Sequence, residues 1–409
     1  MKPSTIEAFE AAVRYEDART AVPDGFPPLP EIPGGRYSRQ DFYDAEFAAV
    51  WRGGWVCAGR DDDIREPGMF RLFDKLGAPI ILVRGKDRRL RAFFNSCRHR
   101  GAPVVRDACG KASLLRCQYH SWSYGLDGRL IGVPDERDFQ GLDKTQRGLL
   151  EVRCDVWDGL AFISLAPDAP PLETYLGSVM QDMASCGLAG MRTLDRRSFV
   201  VNCNWKAAID AFLEVYHVRT IHPETVGAML SATAAAMGIL PNGHSRLVNR
   251  RNMTGVNFGE YGDAPNNHAM PDVFRENAIA FHVFPNLVMP VDTVGFPLLL
   301  FWPRGPHQCE MEAIFIGPDW GEGDRPAFWD DYLVVYEQLL NEDLMNLEGI
   351  QASLNSEAFT GMMINYQERR IYWFHEEIDR RIGVNNIPAS LIVEPKLAAW
   401  CEARDMVPA

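Results

Sequence analysis

Between Asn95 and Trp122 the chain carries Cys97-x-His99, then seventeen residues, then Cys117-x-x-His120. No other feature restricts the fold as much, because two loops must deliver two thiols and two imidazoles to one point. Zinc and iron–sulfur chemistry both draw on that donor set. Zinc fingers usually pair Cys with Cys and His with His, around a tiny domain that the metal folds. Here each pair offers one Cys and one His. That symmetry suits a [2Fe-2S] cluster with two Cys on one iron and two His on the other, which raises the potential above that of an all-Cys cluster. Trp122, Gly101, Pro103 and Gly125 fit tight, partly shielded loops. Neither pair requires Cys109 as a ligand.

The remaining composition narrows the setting. Cys57, Cys154, Cys186 and Cys401 lie scattered among apolar residues without a disulfide rhythm. The opening MKPSTIEAFEAAVRYEDART has no apolar core of a secretory leader. The most apolar stretch, Ile279 to Trp302, is broken by Asn286, Asp292 and three prolines, so no membrane span is expected. The reading is a cytoplasmic protein, where cysteine clusters mean metal or catalysis more often than disulfides. A net charge of −13 argues against nucleic acid and against an anionic membrane surface.

The 409 residues have room for more than one domain. Residues 21–36 are Pro/Gly-rich and read as an extended arm, followed by a helix opening at Ser38. From Trp55 to about Leu165 short β-like runs alternate with turns, and both Cys/His pairs fall in the loops, which predicts a small all-β domain. Past the linker Ala166–Pro171 the pattern is mixed. A β run, RRSFVVNCNW, leads into a helix, KAAIDAFLEVYHVRTIH. Apolar β runs follow at 279–290, 295–302 and 309–316, then helices at about 326–354 and 368–381. The expected fold class is α+β in three parts: an arm and helix at 1–45 packing with the last part, the all-β domain at 46–165, and a second domain at 166–409.

The second domain holds another candidate site. His217 and His222 are five residues apart, about 140° around an ideal helix, so they converge only if the helix distorts or ends between them. Pro223 supplies a break there. The segment Phe328–Leu354 carries an apolar stripe of Tyr332, Tyr336, Leu339, Leu340, Leu347, Ile350 and Leu354, and Asp343 lies on it. A carboxylate buried on an apolar face is costly unless paired or metal-bound. Glu342 points toward a more polar face with Gln338 and Asn346. Two histidines and one carboxylate form the facial triad of non-haem Fe(II) oxygenases, and a salt-bridged Asp343 is the alternative.

Together these residues resemble the Rieske non-haem iron oxygenases, specifically the catalytic alpha subunit of the ring-hydroxylating type, over about residues 38–380. Asn204-Trp205-Lys206 followed by Glu214-x-Tyr216-His217-x4-His222 is similar to the family's mononuclear iron motif. Glu342-Asp343 before Glu348 and Gln351 is similar to its third-ligand segment. The resemblance implies that Cys97, His99, Cys117 and His120 bind the Rieske cluster and that His217, His222 and Asp343 bind Fe(II). It implies that Glu214 links the two metal centres across neighbouring subunits. The family often has an acidic residue and then Asn ahead of the first His, where Ile209 and Asp210 stand here. The implied fold is a Rieske domain joined to a helix-grip domain, a curved antiparallel sheet closed by a long helix. The implied assembly is a ring of three alpha subunits, sometimes with beta subunits.

The expected activity is that of a terminal oxygenase, with O2 as co-substrate and a hydrophobic, aromatic small molecule as substrate. No Gly-rich dinucleotide fingerprint and no plant-type ferredoxin Cys run is present, so electrons are expected from a separate reductase, with or without a ferredoxin. Phe212, Leu213, Val218, Met229 and Leu230 supply apolar pocket or core material near the iron motif. The rival readings are a monooxygenase or demethylase of a quaternary amine or methoxy compound, and a non-catalytic Rieske carrier or zinc-stabilised binding protein.

Overall fold

The computed structural model describes residues 3–231, 234–252 and 265–402. It divides into two compact units, Trp51–Leu172 and a second made of Met1–Val50 with Glu173–Ala409. Among the described residues, no helix is long and apolar enough to cross a membrane.

The first unit is built on a seven-stranded antiparallel sheet, ordered Trp55–Arg60, Leu160–Ser164, Glu151–Trp157, Leu90–Phe94, Ile80–Arg84, Met69–Phe73 and Cys109–Lys111. Three of these strands, WVCAGR, IILVR and LAFIS, are buried along their whole length. Their continuous apolar runs are what a strand covered on both faces needs. A small sheet of Leu115–Arg116, Ser123–Tyr124 and Leu130–Gly132 stands beside it. Cys97 and Cys117 belong to one apolar core with Phe70, Val83, Phe93 and Leu115.

The second unit carries another seven-stranded antiparallel sheet. Its order is Met191–Val201, Gln308–Pro318, Phe296–Gly305, Leu287–Val291, Asn277–Val283, Ser245–Arg250 and Ala236–Ile239. The apolar run expected as one strand over 279–290 is two strands, because Phe284-Pro285-Asn286 turns the chain. The long helix Phe328–Leu354 is pinned to the sheet through Trp329 Nε1, which donates to the Val294 carbonyl at 3.0 Å. Its buried positions include Leu333, Leu340, Asp343, Leu347 and Leu354, whereas Ile350 is exposed. Two helices differ from expectation. The segment 205–222 is not one helix but two short ones, Trp205–Asp210 and Val218–Ile221. The early helix spans Gln40–Glu46, with Arg39 rather than Ser38 at its N-cap.

Buried ion pairs tie the N-terminal arm into this unit. Arg36 Nη1 meets Asp379 Oδ1 at 2.6 Å, with both side chains buried. Lys206 Nζ lies 2.7 and 2.8 Å from the two oxygens of Glu46, and both side chains are fully buried. Such pairs hold geometry more than they add stability, since desolvation offsets much of the attraction.

His244 is held in one protonation state. The Phe284 amide donates to its Nδ1 at 3.0 Å, so its proton sits on Nε2, which donates to the Tyr175 carbonyl at 2.9 Å. Burial pushes its pKa down from 6.5 to about 4. The unfolded chain therefore takes up a proton that the folded one refuses, and stability falls as pH drops from 6.5 toward 4. We expect the melting temperature to decline across that window and His244→Gln to flatten the decline. An unchanged slope in scanning calorimetry would remove His244 from this role.

Candidate metal centres

The two loops of the first unit are near copies of one another. In the first, the Cys97 amide donates to the Ala102 carbonyl at 2.8 Å and the Gly101 amide donates to the Cys97 carbonyl at 2.9 Å. In the second, the Cys117 amide donates to the Trp122 carbonyl and the Ser121 amide to the Cys117 carbonyl, both at 2.9 Å. The fourth residue after each Cys takes a left-handed backbone, Gly101 at φ 75° and Ser121 at φ 58°. Glycine adopts this freely, while Ser121 does so at a cost of about 1 kcal/mol. Asn95 pins the first loop, accepting from the Val104 amide at 2.8 Å and donating to the Val105 carbonyl at 2.8 Å.

This turn geometry sends both thiols inward. Cys97 and Cys117 are buried side by side, and Tyr124 Oη lies 3.2 Å from Cys97 Sγ. Burial, followed by the Cys117 thiol, holds the Cys97 pKa above its ordinary value, against the Tyr124 hydrogen bond. The imidazoles lie further out. The His99 and His120 rings are 4.7 Å apart, and His99 stacks on Trp122 at 4.9 Å. Cys109 stands apart and exposed on its own strand. The residues fit a cluster on one direct observation: His99 Nδ1 is buried with no hydrogen-bond partner among the described residues. An orphaned donor atom two residues from a buried thiol is an arrangement a metal would complete.

In the second unit His217 and His222 sit at the two ends of the one-turn helix Val218–Ile221, as N-cap and C-cap. The break in the longer helix lets them converge, and their ring centroids are 5.3 Å apart. Asp343 comes from the middle of the Phe328–Leu354 helix. His222 Nε2 lies 2.9 Å, and His217 Nε2 3.4 Å, from the same oxygen, Asp343 Oδ1. Ligand atoms of all three residues lie within 4.8 Å of one another, the spacing of a site that could hold one ion.

Each outer ring nitrogen has its own carboxylate. Glu214 Oε1 contacts His217 Nδ1, and Glu342 Oε2 lies 2.8 Å from His222 Nδ1. Both imidazoles thus present Nε2 to the centre, with their tautomer set from behind. Burial works against charge on both histidines. Hydrogen bonds to Asp343 and a second carboxylate outweigh it, raising His217 to about 10 and lifting His222. Asp343 is pulled low by the two imidazoles despite its burial. The donor set, two imidazoles and one carboxylate, suits divalent iron.

Glu342 is the residue that the apolar stripe did not reveal. It does keep the polar company expected of it, since Gln338 Nε2 donates to its Oε1 at 3.1 Å. Its other oxygen reaches His222 and Thr225 Oγ1. Its place directly before a candidate ligand is the only signal the sequence offered. Glu214 lies outside any helix, and the His217 amide donates back to its Oε2 at 3.2 Å. Of the apolar residues expected nearby, Leu213, Val218 and Met229 are buried, while Phe212 and Leu230 are partly exposed. Val218 and Leu230 pack with Val215, Met237 and Leu247, as core. Asp210 is buried too, and its Oδ2 accepts from Tyr37 Oη at 2.7 Å.

Comparison with known proteins meets this geometry at both centres. Residues 54–146 match the Rieske [2Fe-2S] domain family, and residues 188–384 match the family described as ring hydroxylating alpha subunit (catalytic domain). The chain belongs to the Rieske-type ring-hydroxylating alpha-subunit family. Its first unit is therefore a Rieske domain, and the zinc alternative falls. The biphenyl dioxygenase alpha subunit of Metapseudomonas furukawaii is 30% identical over 241 residues, 55% of this chain and 51% of that one. The carnitine monooxygenase oxygenase subunit of Escherichia coli (strain K12) is 28% identical over 208 residues, 49% of this chain and 56% of that one. The chain spans about half the length of the curated relatives it matches. A solved quaternary ammonium Rieske monooxygenase shares the fold, with a TM-score of 0.75 at 20% identity over 89% of this chain and 100% of that one.

Two substitutions probe the second centre. Asp343→Ala is expected to lose mononuclear iron while the visible spectrum of the cluster survives, since the two donor sets lie in separate units. Retained iron would move the ligand role to Glu342. Glu342→Gln is expected to weaken iron binding by about 10- to 100-fold, the usual effect of losing an outer-shell carboxylate. Titration with Fe(II) under anaerobic conditions measures both.

Proposed function

We propose that this chain is the terminal oxygenase component of a multicomponent system, hydroxylating a hydrophobic, aromatic substrate with O2 and electrons from a separate NAD(P)H-dependent reductase. The observation that carries the reading is the pairing, in one chain, of the Cys97/His99/Cys117/His120 loops with the His217/His222/Asp343 site. When bound, a [2Fe-2S] cluster supplies single electrons and Fe(II) supplies the site for O2.

The protein's own residues set the conditions for that chemistry. Cys97 and Cys117, in the core, and His99 and His120, nearer solvent, would hold the cluster. His217, His222 and Asp343 would hold the iron, one donor atom each. Glu214 and Glu342 fix the two imidazoles. Glu214 also serves as the bridge to a neighbouring subunit's cluster in a ring of three, with or without beta subunits. The carnitine monooxygenase relative favours a second reading, oxidation of a quaternary amine.

The test is turnover of the iron-loaded protein with a surrogate reductase, NADH and 18O2, reading products by mass spectrometry. Label incorporated into an aromatic hydrocarbon is the expected result. Label only in products of a quaternary amine would favour the second reading, and neither product would overturn both. About three irons per chain are expected, two from the cluster and one mononuclear. For the bridge, Glu214→Gln is expected to retain both metals and accept electrons, yet slow cluster reoxidation in single turnover by orders of magnitude. Reoxidation at the parent rate would make Glu214 a holder of His217 alone.

A further inference from the structure

Arg370, on the helix Arg369–Ile382, is fully buried. Its Nε donates to Ser245 Oγ at 3.0 Å, but Nη1 and Nη2 are buried without a hydrogen-bond partner among the described residues. The other buried arginines of this unit are matched. Arg36 bonds Asp379, His375 and the Leu391 carbonyl. Arg246 bonds Asp182 and Glu402, and Arg369 bonds Glu16 and two carbonyls.

His282 is in the same condition. It is fully buried, and its ring nitrogens have no side-chain partner among the described residues, only the Pro285 carbonyl beside them. Ser245 is its partner in strand register, so the two side chains share a sheet face. The His282 ring packs against Phe374 at 5.5 Å, and Phe374 lies one helical turn beyond Arg370. Arg370, Ser245, His282 and Phe374 therefore form a closed set of neighbours. Burial, then the charges of Arg369 and Arg246, lowers the Arg370 pKa to about 9, with Glu214 opposing, so it remains a cation at neutral pH. Burial and the Arg370 charge keep His282 neutral, against a Pro285 carbonyl that favours its charged form.

The same sheet face leads toward the iron motif. Two residues along from the Ser245–His282 pair, Leu247 pairs with Ala280, and Met237 pairs with Leu247. These three pack with Val215 and Val218, which flank His217 in sequence. One continuous surface thus has the iron motif at one end, apolar side chains between, and idle cationic donors at the other.

A buried guanidinium with two idle nitrogens is costly, and its fork matches the two oxygens of a carboxylate. We propose that Arg370 and His282 anchor a carboxylate on the substrate, so that the substrate class is an apolar or aromatic body ending in an anionic carboxylate. The Arg370 Nη atoms donate to the carboxylate, His282 gives its ring N–H to the carboxylate in exchange for the Pro285 carbonyl, and the apolar body lies toward His217. This deepens the hydroxylation reading and rests on it for the fate of the bound compound.

Binding separates the two ideas. Benzoate, biphenyl-4-carboxylate and octanoate, with their methyl esters, are titrated by calorimetry into the iron-loaded protein. At least one acid is expected to bind about tenfold or more tighter than its ester, the worth of a charge-assisted hydrogen bond. Arg370→Met should erase that preference with iron content and ester affinity unchanged, and His282→Phe should reduce it. Equal affinity for every acid and its ester in the parent protein overturns the proposal, as an ordered water filling the site would give, and this arm needs no variant to fold. A preference that survives in Arg370→Met overturns it as well. Labelled product from a neutral hydrocarbon without any acid preference sinks the carboxylate site alone. An Arg370-dependent preference without oxygenated product supports the site and sinks the hydroxylation reading.

Discussion

A carboxylate on the apolar face of a helix has to find positive charge, and the second unit is arranged around that need. Asp343 is 9% exposed, and one of its oxygens faces the Nε2 atoms of both His217 and His222. The short helix between the histidines, the break before it, and the two carboxylates behind the rings all serve that convergence. Against its burial, hydrogen bonds to Asp343 and Glu214 raise His217 to about 10. The same three groups would offer one donor atom each to a divalent cation.

The first unit meets a similar demand by repetition. Two loops with the same pair of backbone hydrogen bonds bring their cysteines inward together, and each has a left-handed residue in the same place. Glycine at 101 makes that position visible in sequence. Ser121 hides it, because nothing in the residue type announces a positive φ.

What was legible followed from residue chemistry at fixed spacing. The Cys/His pairs specified two loops on an all-β scaffold, and the misplaced acid at 343 marked one face of a long helix. The runs WVCAG and PIILVRG were continuous enough to mark strands. What was hidden depended on three-dimensional context. The stretch 205–222 has helical character throughout, and the tertiary requirement to turn His217 toward His222 overrides it. Glu342 looked like a solvated neighbour because one of its oxygens is one, while the other faces His222. Arg370 sits in a helix rich in charged residues, yet that helix is buried along most of its length.

The order of the chain has a consequence for synthesis. Trp51–Leu172 forms one compact unit inserted within the sequence of the other, so the larger unit is assembled from both flanks. The smaller unit has all its strands once residue 172 has left the ribosome. Glu46 must wait for Lys206, and Arg36 for Asp379, 343 residues further on. At about 5–20 residues per second, Arg36 spends tens of seconds without its partner. During that interval the arm is a solvated tether, and the Rieske unit completes its fold ahead of the domain that encloses it in sequence.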